Sequence, residues 1–254
     1  GLPLTGDHAA ALGERYGFPI RTTKGLDAEE MVAAAARGGL EVLYSSGGNF
    51  LDVLPDPADV EAALAAVPVR VHQDIVVTSQ MLVEPGETVV LLPACTRYEQ
   101  PGGGTETTTE RRIVFGPEIE GPRIGEARAE WDVFGDLAAR VRPDLADRVR
   151  FPDAAAIRAE IAEVVPAYRG IDALGRLGDS VQWGGPRLGV GGRFDTPDGR
   201  AHFTTVRPVA VPVPGRGAFV LSTRRGKQFN SMVYAEKDPL TGAGRDAVLV
   251  AGVD

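Results

Sequence analysis

The amino-acid sequence predicts an α/β fold in which a parallel sheet is followed by a second, incomplete β-rich domain. Helix-type and strand-type patterns alternate over the first half of the 254-residue chain, as expected of parallel strands joined by crossover helices. After about residue 190 the helical patterns stop, and short apolar runs of strand type replace them. The 32 glycines and 19 prolines indicate that much of the backbone is loop.

The predicted parallel sheet consists of three strands and two crossover helices. A helix is predicted at 26–37, because acidic residues occupy its first turn and two glycines follow it. A second helix is predicted at 57–66, since it starts with a proline in its first turn. The strands are predicted at 40–45, 69–74 and 87–93.

The middle of the chain is predicted to be a long loop followed by two helices. Residues 94–125 have a Thr/Gly-rich centre, and a loop of that length is usually functional or mobile. The first helix is predicted at 126–141, because one apolar stripe runs through Ala127, Trp131, Phe134, Ala138 and Val141. The second helix is predicted at 153–165, with Ile157, Ile161 and Val164 facing inward.

These elements predict three parts of the chain. Residues 1–142 form a Rossmann-like α/β nucleotide-binding domain, and residues 143–192 form a helical and Gly/Pro-rich connection whose section 175–192 is a surface linker. Residues 193–254 begin a β-rich, β-barrel-like domain. Its strands are predicted at 193–203, 218–222 and 247–250. No closing element follows the last of them, so we interpret the chain as part of a longer protein.

Composition excludes several classes of function. The formal net charge of -8 argues against a general binder of nucleic acid or of a membrane surface, and no apolar run is long enough for a membrane span. The single cysteine cannot form an internal disulfide, which suits the cytoplasm, and it cannot hold an iron–sulfur cluster. His8, His72 and His202 have no metal-site spacing. We predict no protein-ligated metal in this chain.

Two predicted strands end in residues suited to a nucleotide. Gly47-Gly48-Asn49 follows the first strand, where glycine lets backbone N–H groups approach a phosphate or sugar; the alternative is a tight turn that requires positive φ. Gln73-Asp74 closes the next strand, and its carboxylate can accept from a ribose or from guanine donors. Asp74 as a helix cap is the alternative there.

Three further segments carry reactive or charged side chains. Cys95 follows an apolar strand, with no histidine near it in sequence, so we predict a buried structural cysteine. Glu99 and Gln100 either bind a ligand or anchor the glycine-rich loop. Residues 222–231 combine three cations with hydroxyls and an amide, which predicts a pyrophosphate cradle or, alternatively, a solvated basic loop.

Taken together, these segments resemble the formate-dehydrogenase-alpha-like branch of the molybdopterin oxidoreductases, of the dimethyl-sulfoxide-reductase class. The matching segments follow the family's order and span nearly the whole chain. They are LYSSGGNFLDVLPD (43–56), VHQD (71–74), VVLLPACTRYEQPGG (89–103), ERR (110–112), Glu130-Trp131, GRFDTPDGRAHF (192–203) and LSTRRGKQFNSMVYAEKDPLTGAGR (221–245). The resemblance identifies the chain as a C-terminal portion of such a protein.

The resemblance implies a bound molybdenum or tungsten bis(molybdopterin guanine dinucleotide). By position, the residues that fall where the family contacts one guanine dinucleotide are Gly48, Asn49, Gln73, Asp74, Gln100 and Glu130. Those that fall where its last domain contacts the pterin dinucleotides are Ser222, Thr223, Arg224, Arg225, Lys227, Gln228, Asn230 and Ser231. Gln100 stands where some relatives have Lys, and Glu130 stands where many have Asp.

The family's catalytic parts have no counterpart in this chain. Its cysteines for a [4Fe–4S] cluster and its metal-ligating side chain belong to an N-terminal portion, so we assign no catalytic residue here. The resemblance implies the cofactor-binding portion of an oxidoreductase that acts on formate or a similar small substrate and has an electron-transfer partner. Two alternatives stay open. One is a non-catalytic Rossmann-like module that binds a nucleotide or a protein partner; the other is the central domain of a thiamine-diphosphate enzyme.

Overall fold

The computed structural model describes residues 4, 6–211, 213–215, 217–222, 237–244 and 247–250. The chain divides into two compact units, Gly1–Gly199 and Arg200–Asp254. All helices and strands of the described residues lie in the first unit. Its α-helices are α1 (Gly6–Tyr16), α2 (Ala28–Ala36), α3 (Phe50–Val53), α4 (Pro57–Ala66), α5 (Glu130–Val141), α6 (Ala146–Val149) and α7 (Ala154–Val164). Its strands are β1 (Val42–Ser46), β2 (Val69–Asp74), β3 (Thr88–Pro93), β4 (Gly104–Thr107), β5 (Arg112–Gly116) and β6 (Ser180–Gln182).

The first sheet is parallel, with the order β1-β2-β3, and this confirms the predicted α/β class. Val42 lies opposite Val69, which in turn lies opposite Thr88, and the register continues to the carboxyl ends. Ser46 is level with Gln73 there, and Asp74 is level with Pro93. Residues that close neighbouring strands therefore share one edge of the sheet.

Helices α2 and α4 cover one face of this sheet. Asp27 caps α2 with a capping box, in which its side chain accepts from the Glu30 N–H and the Glu30 side chain accepts from the Asp27 N–H. The core beneath them is apolar and consists of Ala35, Leu43, Val60, Ala63, Leu64, Val67 and Val83. Burial of these side chains fixes the sheet against the helices.

The long loop predicted at 94–125 is wrong, because it contains two strands. Strands β4 and β5 form an antiparallel hairpin, and β6 pairs with β5 from within the predicted linker 175–192. Gly103 makes the hairpin fit: its φ is +71°, and a Cβ there would lie 2.7 Å from the Phe115 ring. Phe115 belongs to a second apolar cluster with Ile113, Ile171 and Leu174.

The predicted helix at 126–141 begins later, at Glu130, and its predicted stripe is not the buried one. Phe134 and Val141 are 43% and 69% exposed, whereas Gly135 and Ala139 are buried. The face of α5 that carries Gly135 packs against α6, since a Cβ on Gly135 would lie 2.9 Å from the Val149 carbonyl oxygen. Close approach of the two backbones therefore decides which face is covered.

The prediction for α7 is only partly confirmed. The helix runs over Ala154–Val164, one residue shorter at each end than predicted; Asp153 caps it, and Ile161 packs against the second apolar cluster. The buried residues of this helix are Ala154, Arg158 and Glu160, while Ile157, Ile161 and Val164 are half-buried. The Arg158 guanidinium lies 4.8 Å from the centre of the Phe115 ring, so aromatic contact stabilises a buried cation.

The strands predicted at 193–203, 218–222 and 247–250 are not formed, and the part of the chain that the structure describes contains no closed barrel. A turn does form at the predicted Pro-Asp-Gly sequence, where the Phe194 N–H donates to the Gly199 carbonyl at 2.9 Å. Apolar side chains of these segments stay exposed, such as Phe203 at 97%. A short strand needs a paired neighbour and a covered face, which apolar sequence alone does not supply.

None of the helices formed by the described residues combines the length and the apolar character that crossing a bilayer requires.

Candidate functional site

The double glycine after β1 forms an open turn. Gly47 and Gly48 both have left-handed backbone angles, with φ of +68° and +77°, and a Cβ built on either would meet no atom within 4 Å. The Gly47 N–H donates to the Gln73 carbonyl at 2.8 Å, which ties the turn to the end of β2. The predicted alternative of a positive-φ turn is therefore confirmed, and the same geometry leaves open space above the backbone.

Asn49 uses its amide within the protein. Its Nδ2 donates to Asp52 Oδ2 at 2.7 Å and to Ser79 Oγ at 2.9 Å. The Ser79 hydroxyl in turn donates to Asp52 Oδ1 at 3.0 Å. Asn49 is thus engaged in holding the start of α3 against the 3-10 segment Ser79–Leu82.

Gln80 is a site residue that the sequence analysis missed. Its Oε1 accepts from the Phe50 N–H at 2.9 Å, and its Nε2 donates to the Gly48 carbonyl at 2.8 Å. The side chain is only 2% exposed. A lone glutamine in an irregular segment carries no sequence signal for this role, since only tertiary contact brings it to the glycine turn.

Gln73 closes β2 with a fully buried side chain. Its Oε1 accepts from the Tyr44 hydroxyl at 2.7 Å, while its Nε2 has no hydrogen-bond partner among the described residues. A buried donor of this kind is costly unless a ligand or water satisfies it. Asp74 beside it is half-buried, and its Oδ1 accepts from the Ile75 N–H at 2.7 Å.

Glu130 reaches the end of β1 from the first turn of α5, and Gln100, which follows the 3-10 segment Arg97–Glu99, contacts the next residue of that helix. Glu130 Oε1 accepts from the Ser46 hydroxyl at 2.9 Å, and Gln100 Oε1 accepts from the Trp131 Nε1–H at 3.2 Å. Burial, and then the negative charge of Glu130, raise the pKa of Tyr44. The predicted residues at the ends of β1 and β2 and at the start of α5 are therefore brought together, with Tyr44 and Ser46 between them.

Two buried basic side chains of β2 lie on its helix-covered side. Arg70 is 0% exposed; its Nη1 donates to the Gln80 carbonyl at 3.1 Å and its Nη2 donates to the Val83 carbonyl. His72 is 1% exposed, and neither ring nitrogen has a partner within the described ranges. Burial, and then the charge of Arg70, lower the pKa of His72, so the ring is neutral near pH 7.

The other predicted residues are Cys95 and those of segment 222–231. Cys95 is buried, as predicted, and its thiol donates to the Ala127 carbonyl at 3.2 Å; burial raises its pKa. Ser222 is exposed. Thr223, Arg224, Arg225, Lys227, Gln228, Asn230 and Ser231 lie outside the described residues. Over the residues that are described, no group of three or more His, Cys, Asp and Glu side chains could hold a metal ion.

Comparison with known proteins finds oxidoreductases, although no protein-family model matches the chain. It is 29% identical over 230 residues to a nitrate reductase of Synechocystis sp., covering 81% of this chain and 30% of that protein. It is 29% identical over 221 residues to the F420-dependent formate dehydrogenase subunit alpha of Methanocaldococcus jannaschii, covering 84% of this chain and 31% of that one.

A further relative, from Rhizobium meliloti, is one of the subunits of an NADH-quinone oxidoreductase, with 31% identity over 182 residues. The match covers 71% of this chain and 18% of that relative. The chain therefore spans about a third or less of the length of these curated relatives. The similarity supports a protein of the oxidoreductase kind.

Proposed function

We propose that this chain is the cofactor-binding portion of an oxidoreductase that holds a molybdenum or tungsten bis(molybdopterin guanine dinucleotide). The observation that carries the proposal is the convergence at one sheet edge of an open double-glycine turn, a buried unsatisfied amide and two carboxylates. Ligands of open α/β sheets bind at this edge, outside the carboxyl ends of the strands. The relatives named nitrate reductase and formate dehydrogenase support the same class.

The residues present fit a guanine nucleotide. Gly47 and Gly48 offer backbone that a phosphate or ribose can approach without meeting a Cβ. Asp74 and Glu130 offer carboxylate oxygens, the acceptors that guanine N1 and N2 donors require. The free Nε2 of Gln73 supplies a donor that a guanine or ribose oxygen would satisfy.

The role of this chain is to bind and orient the cofactor. When bound, the metal centre supplies electron transfer to or from a small substrate, which we propose to be formate or a similar molecule. We assign no catalytic side chain here and place the [4Fe–4S] cluster, the metal-ligating side chain and the contact with an electron-transfer partner elsewhere in the complete protein. We propose a cytoplasmic location, because the chain has a single cysteine.

Residues 222–231 belong to the proposal as the second contact with the cofactor. Their two arginines, one lysine and polar side chains match the charge and hydrogen-bonding needs of a pyrophosphate. Alanine substitution of Arg224 and Arg225 in the full chain is expected to weaken binding of a dinucleotide more than binding of guanosine alone.

Calorimetric titration of the 254-residue chain with GDP and, separately, with ADP tests the proposal. GDP is expected to bind more tightly than ADP, and hydrogen exchange is expected to show protection centred on residues 46–49 and 73–74. Gly48→Ala should weaken GDP binding, whereas Gly178→Ala, at a left-handed glycine with the same open surroundings, should not. Equal affinity for the two nucleotides would favour the non-catalytic Rossmann-like module. Metal and pterin analysis of the complete protein tests the cofactor itself.

A further inference from the structure

A single buried side chain joins both sides of the glycine turn. The carboxamide of Gln80 accepts from the Phe50 N–H at 2.9 Å and donates to the Gly48 carbonyl at 2.8 Å. It satisfies one acceptor and one donor of the main chain, two residues apart, as a neighbouring strand would do. The Nε2 also lies 3.3 Å from Ser45 Oγ, and the Ser45 hydroxyl donates to the Gly47 carbonyl at 3.1 Å.

Gln80 is itself held from the centre of the sheet. The Arg70 guanidinium donates to the main-chain carbonyls of Gln80 and Val83, which fixes the 3-10 segment Ser79–Leu82 at both ends. Arg70 is 0% exposed, so its guanidinium has been removed from water. Its hydrogen bonds go to carbonyl oxygens and hold the main chain in place. The chain of contacts runs from β2 through Arg70 and Gln80 to the backbone of Gly48.

Glycine turns without such support have many accessible conformations. Gly47 and Gly48 have the largest conformational freedom of any residue type, and nothing lies within 4 Å of where their side chains would be. A ligand that needs their present geometry would otherwise have to order the turn when it binds, which weakens affinity. The Gln80 carboxamide removes that requirement by fixing the turn before the ligand arrives.

Resting on the function proposed above, we propose that Gln80 is a positioning residue of the dinucleotide site, which pre-organises the Gly47-Gly48 turn and is in turn oriented by Arg70. Gln80 is buried and acts through the backbone of Gly48 and Phe50. Replacing it should therefore change nucleotide affinity without removing any proposed ligand contact.

Titration of the full chain with GDP tests this role in three variants. Gln80→Met removes the two main-chain hydrogen bonds, and the weaker one to Ser45, at similar side-chain size. We expect the dissociation constant for GDP to rise roughly tenfold, the effect of one to two lost hydrogen bonds. Gln182→Met is the matched control, because Gln182 also donates to a main-chain carbonyl, that of Glu110, but from the second sheet. We expect that variant to bind GDP as the unmodified chain does.

Gln80→Glu supplies a readout that a general loss of stability would not move. In its ionised form the carboxylate has no proton to donate to the Gly48 carbonyl, so at about pH 9 GDP should bind roughly tenfold more weakly than to the unmodified chain. Burial favours the protonated form as the pH falls towards about 5; that form can again donate to Gly48 and accept from Phe50, so the affinity ratio should return towards one. This variant also serves if Gln80→Met does not fold.

The outcomes separate the two proposals. If the unmodified chain binds no GDP, the proposed function fails, and the positioning role fails with it. If the unmodified chain binds GDP and the Gln80→Glu ratio stays near one at the higher pH, or is reduced equally at both pH values, the positioning role is overturned while the proposed function stands.

Discussion

The Tyr44 hydroxyl donates a 2.7 Å hydrogen bond to Gln73 Oε1, joining the carboxyl ends of β1 and β2 across the sheet. The bond fixes which end of the Gln73 carboxamide faces Tyr44, and so leaves the Nε2 as the unsatisfied donor. The Tyr44 ring packs against Phe134 of α5, with 5.1 Å between ring centres. One side chain therefore orients the buried amide and connects it to the helix that carries Glu130.

Tyr44→Phe is expected to lower the free energy of unfolding by about 1 kcal/mol, because a buried hydrogen bond is lost and the Gln73 oxygen is left unsatisfied. The affinity for GDP should fall several-fold, since the carboxamide can then rotate. Urea denaturation and GDP titration measure the two effects. Tyr98→Phe is the control, as that side chain is 52% exposed; equal effects of both substitutions would contradict the role given to Tyr44.

The lowered pKa of His72 predicts how the stability of the folded chain depends on pH. Burial and Arg70 lower its pKa in the folded state, whereas in the unfolded chain it titrates near about 6.5. The unfolded state therefore binds the proton more readily, so stability is complete above that pH and falls on acidification until the folded-state pKa is reached. His72→Leu should flatten this part of the profile in urea denaturation measured from about pH 8 to about pH 4. An unchanged profile, or the same flattening in the exposed control His202→Leu, would count against this explanation.

We predict that Glu160 holds helix α1 against helix α7. Its carboxylate accepts from Arg15 Nε at 2.7 Å and from the Tyr16 hydroxyl at 2.5 Å, and its side chain is 10% exposed. Glu160→Gln should lower the free energy of unfolding by about 2 kcal/mol, because the buried carboxylate that accepts from Arg15 and from Tyr16 becomes a neutral amide. Glu163 also pairs with Arg15 but is 66% exposed, so Glu163→Gln should have little effect. Denaturation curves that rank the two variants in the opposite order would refute the prediction.

Tyr16 belongs to the same contact and predicts an alkaline response. Burial and then the hydrogen bond to Glu160 raise its pKa to about 12. The folded chain keeps this proton longer than the unfolded chain does, so the contribution of Tyr16 to stability is complete below about pH 10 and is lost as the pH rises towards its folded value. Tyr16→Phe should remove that part of the pH dependence in denaturation experiments. A dependence unchanged by the substitution would exclude Tyr16 as its source.

We predict a large loss of stability from adding a single methyl group at Gly103. Alanine there would place its Cβ 2.7 Å from the Gly116 carbonyl oxygen and from the Phe115 ring, in addition to the strain of a positive φ. We expect Gly103→Ala to cost about 3 kcal/mol or more in the free energy of unfolding. Gly185→Ala carries the same kind of strain, at φ +83°, in open space, and should cost about 1 kcal/mol. Similar costs for both would show that backbone strain, and not the hairpin contact, decides the effect.

The first sheet was predictable because its signals are local. A proline begins α4 at Pro57, and Asp27 caps α2 three residues before Glu30, so the helices begin where short-range hydrogen bonding and proline geometry place them. Apolar runs between them become β1, β2 and β3. From the parallel order it follows that the residues after β1 and β2 share an edge, which is why Gly47 and Gln73 could be assigned to one candidate site.

The second sheet and the covered face of α5 were decided by packing. Strand β6 pairs with β5 over a long sequence separation: Ile113 lies opposite Val181, 68 residues later in the chain (181 − 113). The Gly-rich sequence around β6 contains no local signal that predicts this partner. In α5 the large apolar side chains form the stronger sequence stripe, yet Gly135 is buried because only a glycine lets the backbone of Val149 approach. Conversely, the strand-type runs after residue 190 found no partner among the described residues.

The sequence by itself determined the parallel sheet, its order of helices and strands, and the residues at the carboxyl ends of the strands. Tertiary structure alone decided that Gln80 holds the glycine turn, that Tyr44 orients Gln73, and that Arg70 and His72 are buried without carboxylate partners in the described chain. The physical reason is the range of the interactions. Helix caps, turns and strand periodicity act over a few residues, whereas a buried amide or guanidinium takes its partners from whichever segments the folded core brings beside it.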